Sequence, residues 1–306
     1  MKEKKTNMYY IYKVIIKLFR LLHILFLLDD EKFLKMYYYV LMKKRLNLKN
    51  PQTFNEKIQW LKLYDRKDIY TKMVDKYEAK KYAASIIGEQ YIIPTLAIYN
   101  KWEEIDFDKL PNQFVIKCTH DSGGLCIVRE QKKFNIEQAK KKINKCLKNN
   151  YFYNGREWPY KNVKPRIIIE KYMVDESGYE LKDYKFFCFN GKVKLMFIAT
   201  DRNSNNETCF DFYDENFNHL PFTNGHPNSK KQIKKPHNFE KMKELAEKLS
   251  KDIPQVRIDF YNINGKIYFG EITFFHWSGF VPFEPEEWDY KLGDLIDLSL
   301  VKKDEK

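Results

Sequence analysis

Glycine and proline are sparse, 11 of each in 306 residues, so little of the chain reads as linker and most of it is expected to fold. Cysteine is scarcer still. Five residues, an odd number at irregular spacings, argue against a disulfide framework. Cys118, Cys126 and Cys188 lie in apolar, strand-like runs and read as reduced core residues. There is no CxxC pair and no HExxH segment, which removes the usual sequence grounds for a structural zinc or a zinc protease. An unbroken hydrophobic run is missing as well. Residues 9–28 are almost wholly apolar, but Lys13, Lys17 and Arg20 interrupt them. Each would cost roughly 2.5–3.5 kcal/mol at the centre of a membrane span, which disfavours a transmembrane helix. No small-residue cleavage site follows, which argues against a signal peptide. The three cations fall within one helical stripe, with His23 at its edge. Two readings stay open: a helix in a membrane interface with its basic stripe toward lipid headgroups, or a helix packed on the domain.

What the chain has in quantity is positive charge and aromatic side chains. Lys and Arg number 55 against 42 Asp and Glu, a net charge of +13, and aromatics make up 16%. The excess favours a polyanionic partner: nucleic acid, an anionic membrane face, nucleotide phosphates or an acidic polymer. The basic residues are scattered through helices and form no aromatic-interleaved patch, so no nucleic-acid partner is expected. Cysteine usage points to the cytoplasm. The length allows two domains or one large α/β unit.

The richest stretch is Val256–Tyr261, a turn, and Lys266–Thr273, which read as a β-hairpin. Alternation puts Arg257, Asp259 and Tyr261 on one face of the first strand, and Glu271 with Thr273 on one face of the second. A two-residue Asn264-Gly265 loop would leave Asp259 opposite Gly270 and send Glu271 to the far face. A three-residue loop, Ile263-Asn264-Gly265, would unite the two carboxylates. So united, Asp259, Glu271 and the Thr273 hydroxyl suit Mg²⁺, which takes hard oxygen ligands. An ordinary Arg–Glu pair on a solvated strand face would use the same residues.

Upstream, Thr53-Phe-Asn-Glu56 has the form of a capping box opening a helix through Leu63, and a second helix is expected from Thr71 to Ile87, ending on Gly88. Tyr91–Tyr99 reads as a strand interrupted by Pro94. Phe114–His120 is a strand carrying Lys117, followed by an Asp121-Ser-Gly-Gly124 turn and a return strand, Leu125–Val128. A Gly-Gly tip beside a Lys can lay backbone N–H groups and an ammonium against phosphates, although many hairpins have such tips. Arg166–Ile169 suits a buried strand that ends on Glu170 and Lys171. Asp183–Gly191 and Lys192–Thr200 form a hairpin across Asn190-Gly191. Residues 203–236 are loop-rich, and 239–251 form an amphipathic helix.

Taken in order, these segments resemble the ATP-grasp superfamily, and most closely its TupA-like branch. The matching pieces are Asn50-Pro-Gln-Thr-Phe-Asn-Glu-Lys57, Asp75-Lys76, Phe114–Gly124, Ile168-Ile-Glu-Lys171, Asp183–Gly191, Val256–Tyr261 and Phe269-Gly-Glu-Ile-Thr273. The resemblance implies an α+β, ATP-grasp fold: two α+β lobes clamping ATP, with an N-terminal helical extension. It divides the chain into a helical segment over 1–50, a helical region over 51–112 and an ATP-grasp domain over 113–300. By position, it implies that Lys117 contacts the ATP phosphates, with Lys76 as a second cation, and that Ser122, Gly123 and Gly124 form the loop over them. Glu170, Lys171 and Met173 would line the adenine hinge, and Asp183 would lie near the ribose. Asp259 and Glu271 would bind Mg²⁺. Arg257 would neutralise the transferring phosphoryl group. Many relatives carry Asn where this chain has Thr273, which leaves the third metal ligand open. His276, in the Phe274–Gly279 loop, is a candidate base for an attacking amine.

The implied activity is an ATP-dependent carboxylate–amine ligase working through an acylphosphate. Within the TupA-like branch the expected substrates are a carboxylate-bearing, uronic acid-like glycan of a cell-surface polysaccharide and an amine donor. Peripheral contact with an anionic membrane, at the inner face of the plasma membrane, would fit a lipid-linked substrate. A glycosyltransferase of polysaccharide biosynthesis is the alternative, but no convincing Asp-x-Asp metal motif supports it.

Overall fold

The computed structural model describes residues 11–19, 27–175, 178, 181–201, 207–231 and 233–301. Helices come first among the described residues. In α1 (Asp30–Met42) the Asp29 side chain caps the first turn, accepting from the Lys32 amide at 3.1 Å. In α2 (Phe54–Tyr64) the expected capping box is complete: Thr53 Oγ1 accepts from Glu56 N, and the Glu56 carboxylate accepts from Thr53 N.

The helix expected from Thr71 to Ile87 is in fact two, α3 (Asp68–Val74) and α4 (Glu78–Ile87). Asp75 breaks it. Its Oδ1 accepts from the amides of Tyr77 and Glu78 at 2.8 and 3.1 Å, and Arg166 clamps Oδ2 at 3.0 Å. These bonds start a new helix where the old ladder stops. The freed amide of Lys76 donates to Thr119 O at 3.0 Å, which ties the break to the end of a strand. The strand expected from Tyr91 also starts later, at Thr95, because Glu89–Tyr91 forms a 3₁₀ turn before Pro94.

Two antiparallel sheets follow. The first has four strands in the order β1 (Thr95–Tyr99), β4 (Ile167–Lys171), β2 (Phe114–Cys118), β3 (Leu125–Val128). Helix α5 (Ile136–Leu147) lays Ala139 and Ile143 on it, over a small core of Phe114, Ile116, Cys118, Val128, Ile167 and Ile169. A short turn of helix, α6 (Phe152–Gly155), leads back to β4.

The second sheet runs β10 (Lys266–Thr273), β9 (Gln255–Ile263), β5 (Asp183–Phe189), β6 (Lys192–Thr200), β7 (Cys209–Asp214). Its back face is apolar, with Phe186, Cys188, Met196, Val256, Ile258 and Phe260 all buried. Helix α7 (Phe239–Leu249) covers it with Phe239, Met242, Leu245, Ala246 and Leu249. Each fully buried large apolar side chain contributes about 1.5–3 kcal/mol, so this face anchors the larger core. The opposite face carries the charged residues. A two-stranded piece, β8 (Thr223–Asn224) with β11 (Phe283–Glu284), and helix α8 (Glu287–Asp294) close the end.

The N-terminal stretch 9–28 lies partly outside the described residues. Residues 11–19 are helical; Ile16 is buried, Tyr12 packs edge-on against Tyr39 with ring centroids 5.9 Å apart, and Phe19 meets the main core. Ile11, Val14 and Leu18 remain exposed. Among the described residues, no helix is long and apolar enough to cross a membrane.

Candidate active site

The hairpin β9–β10 turns through two residues, Asn264 and Gly265, at φ 50° and 78°, with Ile263 paired to Lys266. This is the mirror-image turn that Asn-Gly favours. The three-residue loop expected from the need to unite the carboxylates is not used. By strict alternation Glu271 should then face away from Asp259. It does not, because the register shifts within the strand: Phe269 pairs with Phe260, but Glu271 pairs with Asp259 and Thr273 with Arg257. Gly270 is the extra residue, a β-bulge that restores the shared face. A Cβ there would lie 3.0 Å from the Asp259 carbonyl and 3.3 Å from the Tyr261 ring, so a side chain would make the facing backbone shift by a few tenths of an ångström.

Across that face Lys185, Asp259 and Glu271 form one cross-strand row, and Phe187, Arg257 and Thr273 the next. Arg257 grips Asp259 with two bonds, Nε to Oδ1 at 2.7 Å and Nη2 to Oδ2 at 2.8 Å. The same Nη2 reaches Glu271 Oε1 and Thr273 Oγ1, each at 3.0 Å. Lys185 ion-pairs with Asp259 and lies 3.6 Å from Asp183, which is itself buried. Both oxygens of the fully buried Asp259 are therefore engaged. Glu271 differs: its side chain keeps 45% of its surface exposed. Withdrawal from water would raise its pKa, but Lys185, Arg257 and Lys76 outweigh that and hold it well below the usual carboxylate range.

His276 sits behind Arg257, nearly fully buried. Arg257 Nη1 donates to its Nδ1 at 2.9 Å, so the ring proton is on Nε2, which donates to Asn224 Oδ1 at 2.9 Å. Burial, with Arg257 and Lys185 nearby, lowers its pKa well below the ordinary histidine value. Both ring nitrogens are occupied by protein partners.

The first sheet supplies the other half of the site. Glu170, buried at the end of β4, is held between two ammonium groups: Lys117 of β2, 2.5 Å from Oε2, and Lys80 of α4 on Oε1. Burial alone would raise its pKa, yet Lys117 and Lys80 bring it down to about 2. Lys80 bears the same burial and is itself pulled below its ordinary value, so the cluster gains less than the Glu170 shift alone implies. Stability from a depressed carboxylate is present above its unfolded pKa near 4.5 and lost as pH falls toward 2. We therefore expect acid unfolding to steepen between pH 4.5 and 2, and Glu170→Gln to flatten that limb in a pH series of urea denaturations.

At the last position of β4, Lys171 is exposed and its amide donates to Pro94 O at 3.0 Å, and half-buried Met173 follows the strand. In the Gly loop, Asp121 Oδ1 accepts from the amides of Gly123 and Gly124 at 3.2 and 2.8 Å, and Ser122 is exposed. Lys76, set by the α3–α4 break, donates to the carbonyl of Asp121. It also acts on Glu271, and so links the Gly loop to the hairpin. Tyr151 also stands near both, and burial pushes its hydroxyl up to about 12, with Glu157 and Glu271 adding. The structure thus brings Lys76, Lys117, Glu170 and the Gly loop onto one side, and Arg257, Asp259, Glu271 and Thr273 onto the other.

Sequence reasoning missed Lys80, Lys185 and the buried Lys62. Lys185 was signalled, being two residues from Asp183 and thus on the same strand face. Lys80 follows buried Ala79 and precedes buried Ala83 on α4. Lys62 donates to Gly155 O at 2.7 Å and to Ser278 O and Oγ at 2.8 and 2.9 Å, so it fixes the loop after β10.

Whether these residues fit Mg²⁺ can be judged from their donors. Glu271 and Thr273 present hard oxygens on one face, Glu271 toward solvent, which fits a cation that keeps several waters and shares phosphates. Asp259 belongs to the same face, but Arg257 and Lys185 already compensate its charge.

No curated protein matches the sequence. Solved structures it is similar to include D-alanine–D-alanine ligase from Bacillus anthracis complexed with ATP, at 18% identity and a TM-score of 0.39, with 66% of this chain and 53% of that one covered. The chain thus spans about half the length of that protein. Another is D-alanine–D-alanine ligase from Helicobacter pylori, at 17% identity and a TM-score of 0.42, covering 79% and 69%. N5-carboxyaminoimidazole synthetase from Staphylococcus aureus follows at 13% identity and 0.38, covering 66% and 44%. The family model of TupA-like ATPgrasp matches residues 56–297, a span that holds both sheets and every charged group of the site. The chain belongs to the TupA-like ATP-grasp family.

Proposed function

We propose that this protein is an ADP-forming carboxylate–amine ligase using ATP and Mg²⁺. The observation that carries the reading is a pair of cation–carboxylate clusters, Lys117–Glu170–Lys80 and Lys185–Asp259–Arg257–Glu271, with Lys76 bonded to the Gly loop and acting on Glu271. Such a set suits phosphoryl transfer, where catalysis is positioning plus electrostatics. A carboxylate oxygen of the substrate attacks the γ-phosphorus of ATP and the bond to ADP breaks. The amine then attacks the acyl carbon, phosphate leaves, and the nitrogen gives up a proton.

Lys117 and Lys76 bind the phosphates, and the amides of Gly123 and Gly124 join them once Asp121 yields. Ser122 closes the loop. The backbone from Glu170 through Lys171 and Met173 reads the adenine edge, and Asp183 lies toward the ribose. Arg257 stabilises the transferring phosphoryl charge. Glu271 would hold Mg²⁺, with Thr273 and Asp259 on the same face, and the cation would supply charge neutralisation of the phosphates. His276 positions Arg257, since neither ring nitrogen is open to take a proton.

The carboxylate is best sought in a uronic acid-like glycan of a cell-surface polysaccharide. This is supported by the TupA-like membership and by the +13 net charge, which suits an acidic polymer. Contact with an anionic membrane is supported by exposed Ile11, Val14 and Leu18 beside exposed Lys17. Removing residues 1–28 should then release the protein from anionic vesicles in a co-sedimentation assay; retained binding would place the contact elsewhere. The ligase reading is tested by screening carboxylate and amine pairs for ADP release, with a strict requirement for both. For the nucleotide site, Lys117→Ala should weaken Mg-ATP binding at least about tenfold by calorimetry. An unchanged affinity would remove Lys117 from the site.

A further inference from the structure

Cys118, Asp121 and Cys146 come from three separate elements: the end of β2, the start of the Gly loop and the last turn of α5. Their ligand atoms lie within 4.8 Å of one another. Cys118 and Asp121 are buried, and Cys146 is half-buried. The Cys146 thiol and the Asp121 carboxylate face each other within that distance. The backbone holds the group firmly: Cys118 N donates to Gly124 O at 2.7 Å, and a Cβ on Gly124 would lie 2.6 Å from Cys118 Sγ. The neighbouring His120 is 2% exposed; its Nε2 meets Cys146 O at 3.0 Å, and its Nδ1 has no hydrogen-bond partner.

We infer that Cys118, Asp121 and Cys146 form a binding site for Zn²⁺, distinct from the Asp259–Glu271 face, beneath the Gly loop. Two sulfurs and one carboxylate select a borderline-soft cation over Mg²⁺. Tetrahedral zinc with thiolates at 2.3 Å sets the sulfurs about 3.8 Å apart, so the side chains close by no more than about 1 Å. The fourth position falls to water, or to His120 after its ring turns. Without the ion both thiols are protonated, because burial pushes Cys118 up, and Cys146 up to about 11. Binding therefore releases two protons, one from each thiol, and tightens as pH rises. The ion would also pin Asp121, whose Oδ1 caps the amides of Gly123 and Gly124, and so oppose the release of those amides to the nucleotide phosphates.

The test titrates the reduced full-length protein with Co²⁺ and follows thiolate-to-cobalt charge transfer in the near ultraviolet. The expected result is one ion per chain, displaced by stoichiometric Zn²⁺, with at least tenfold weaker binding in Cys146→Ser. Cys146 is the chosen position because its partial exposure tolerates the change; Cys126→Ser and Cys209→Ser should leave the band intact. No charge-transfer band in the wild type overturns the inference, as does a band that persists unchanged in Cys146→Ser. Co²⁺ bound without thiolate character would assign the ion to the Asp259–Glu271 face and equally overturn it.

Discussion

Glu271→Ala should reduce acceptor-dependent ADP release by at least about a hundredfold while leaving the fold intact. The magnitude is that of removing one preorganised electrostatic group from a phosphoryl or acyl transfer site. The fold should survive because the Glu271 side chain is nearly half in solvent, and Arg257 keeps its two hydrogen bonds to Asp259 and its contacts to Thr273 and His276. Steady-state ADP release and thermal melting, measured side by side, separate the two effects. Full activity with normal melting would take Glu271 out of the site.

The second large effect is expected at a residue with no side chain. Gly270→Val places a branched Cβ against the Asp259 carbonyl and the Tyr261 ring, where the available gaps are 3.0 and 3.3 Å. Overpacking of this kind costs about 1–3 kcal/mol where the neighbour cannot move, and here the neighbour is backbone. The hairpin relieves it by losing the bulge. Regular alternation from the Asn264-Gly265 turn then carries Glu271 to the opposite face, and activity falls with it. Deleting Gly270 gives the opposite outcome: with the extra residue gone, Glu271 comes opposite Asp259 by plain alternation. The deletion should therefore keep more activity than Gly270→Val in the same ADP assay. Equal activity in the valine variant and the wild type would make the bulge incidental.

That hairpin also shows what the sequence could and could not convey. The period of two placed Arg257 with Asp259, and Glu271 with Thr273, correctly on each strand. The relation between strands failed because it was sought in the loop length, while the correction sits inside β10. A lone glycine in a strand is itself the mark of a bulge, so the signal at Gly270 was present. The Asp75 break was harder to see. Asp75-Lys76 lies within a good helical pattern, and the Asp75 cap on Tyr77 and Glu78 stops the helix there with tertiary help from Arg166 and from Thr119, which takes the Lys76 amide. Lys62 and Lys80 look like solvated helix lysines in sequence. Their burial depends on Ser278 and Glu170, far away in the chain. The loop-rich region 203–236 hid β7 and β8, and with β8 the Asn224 side-chain oxygen that accepts from His276 Nε2.

On the proposed function, a substrate carboxylate is activated by direct phosphoryl transfer from ATP. The most direct measurement uses an ¹⁸O-labelled uronic acid with an amine donor that together support ADP release. Inorganic phosphate is then analysed by mass spectrometry. An acylphosphate leaves one ¹⁸O from the carboxylate in each phosphate released, and Glu271→Ala should suppress label transfer and ADP together. Phosphate that carries no label while ADP accumulates would contradict the account.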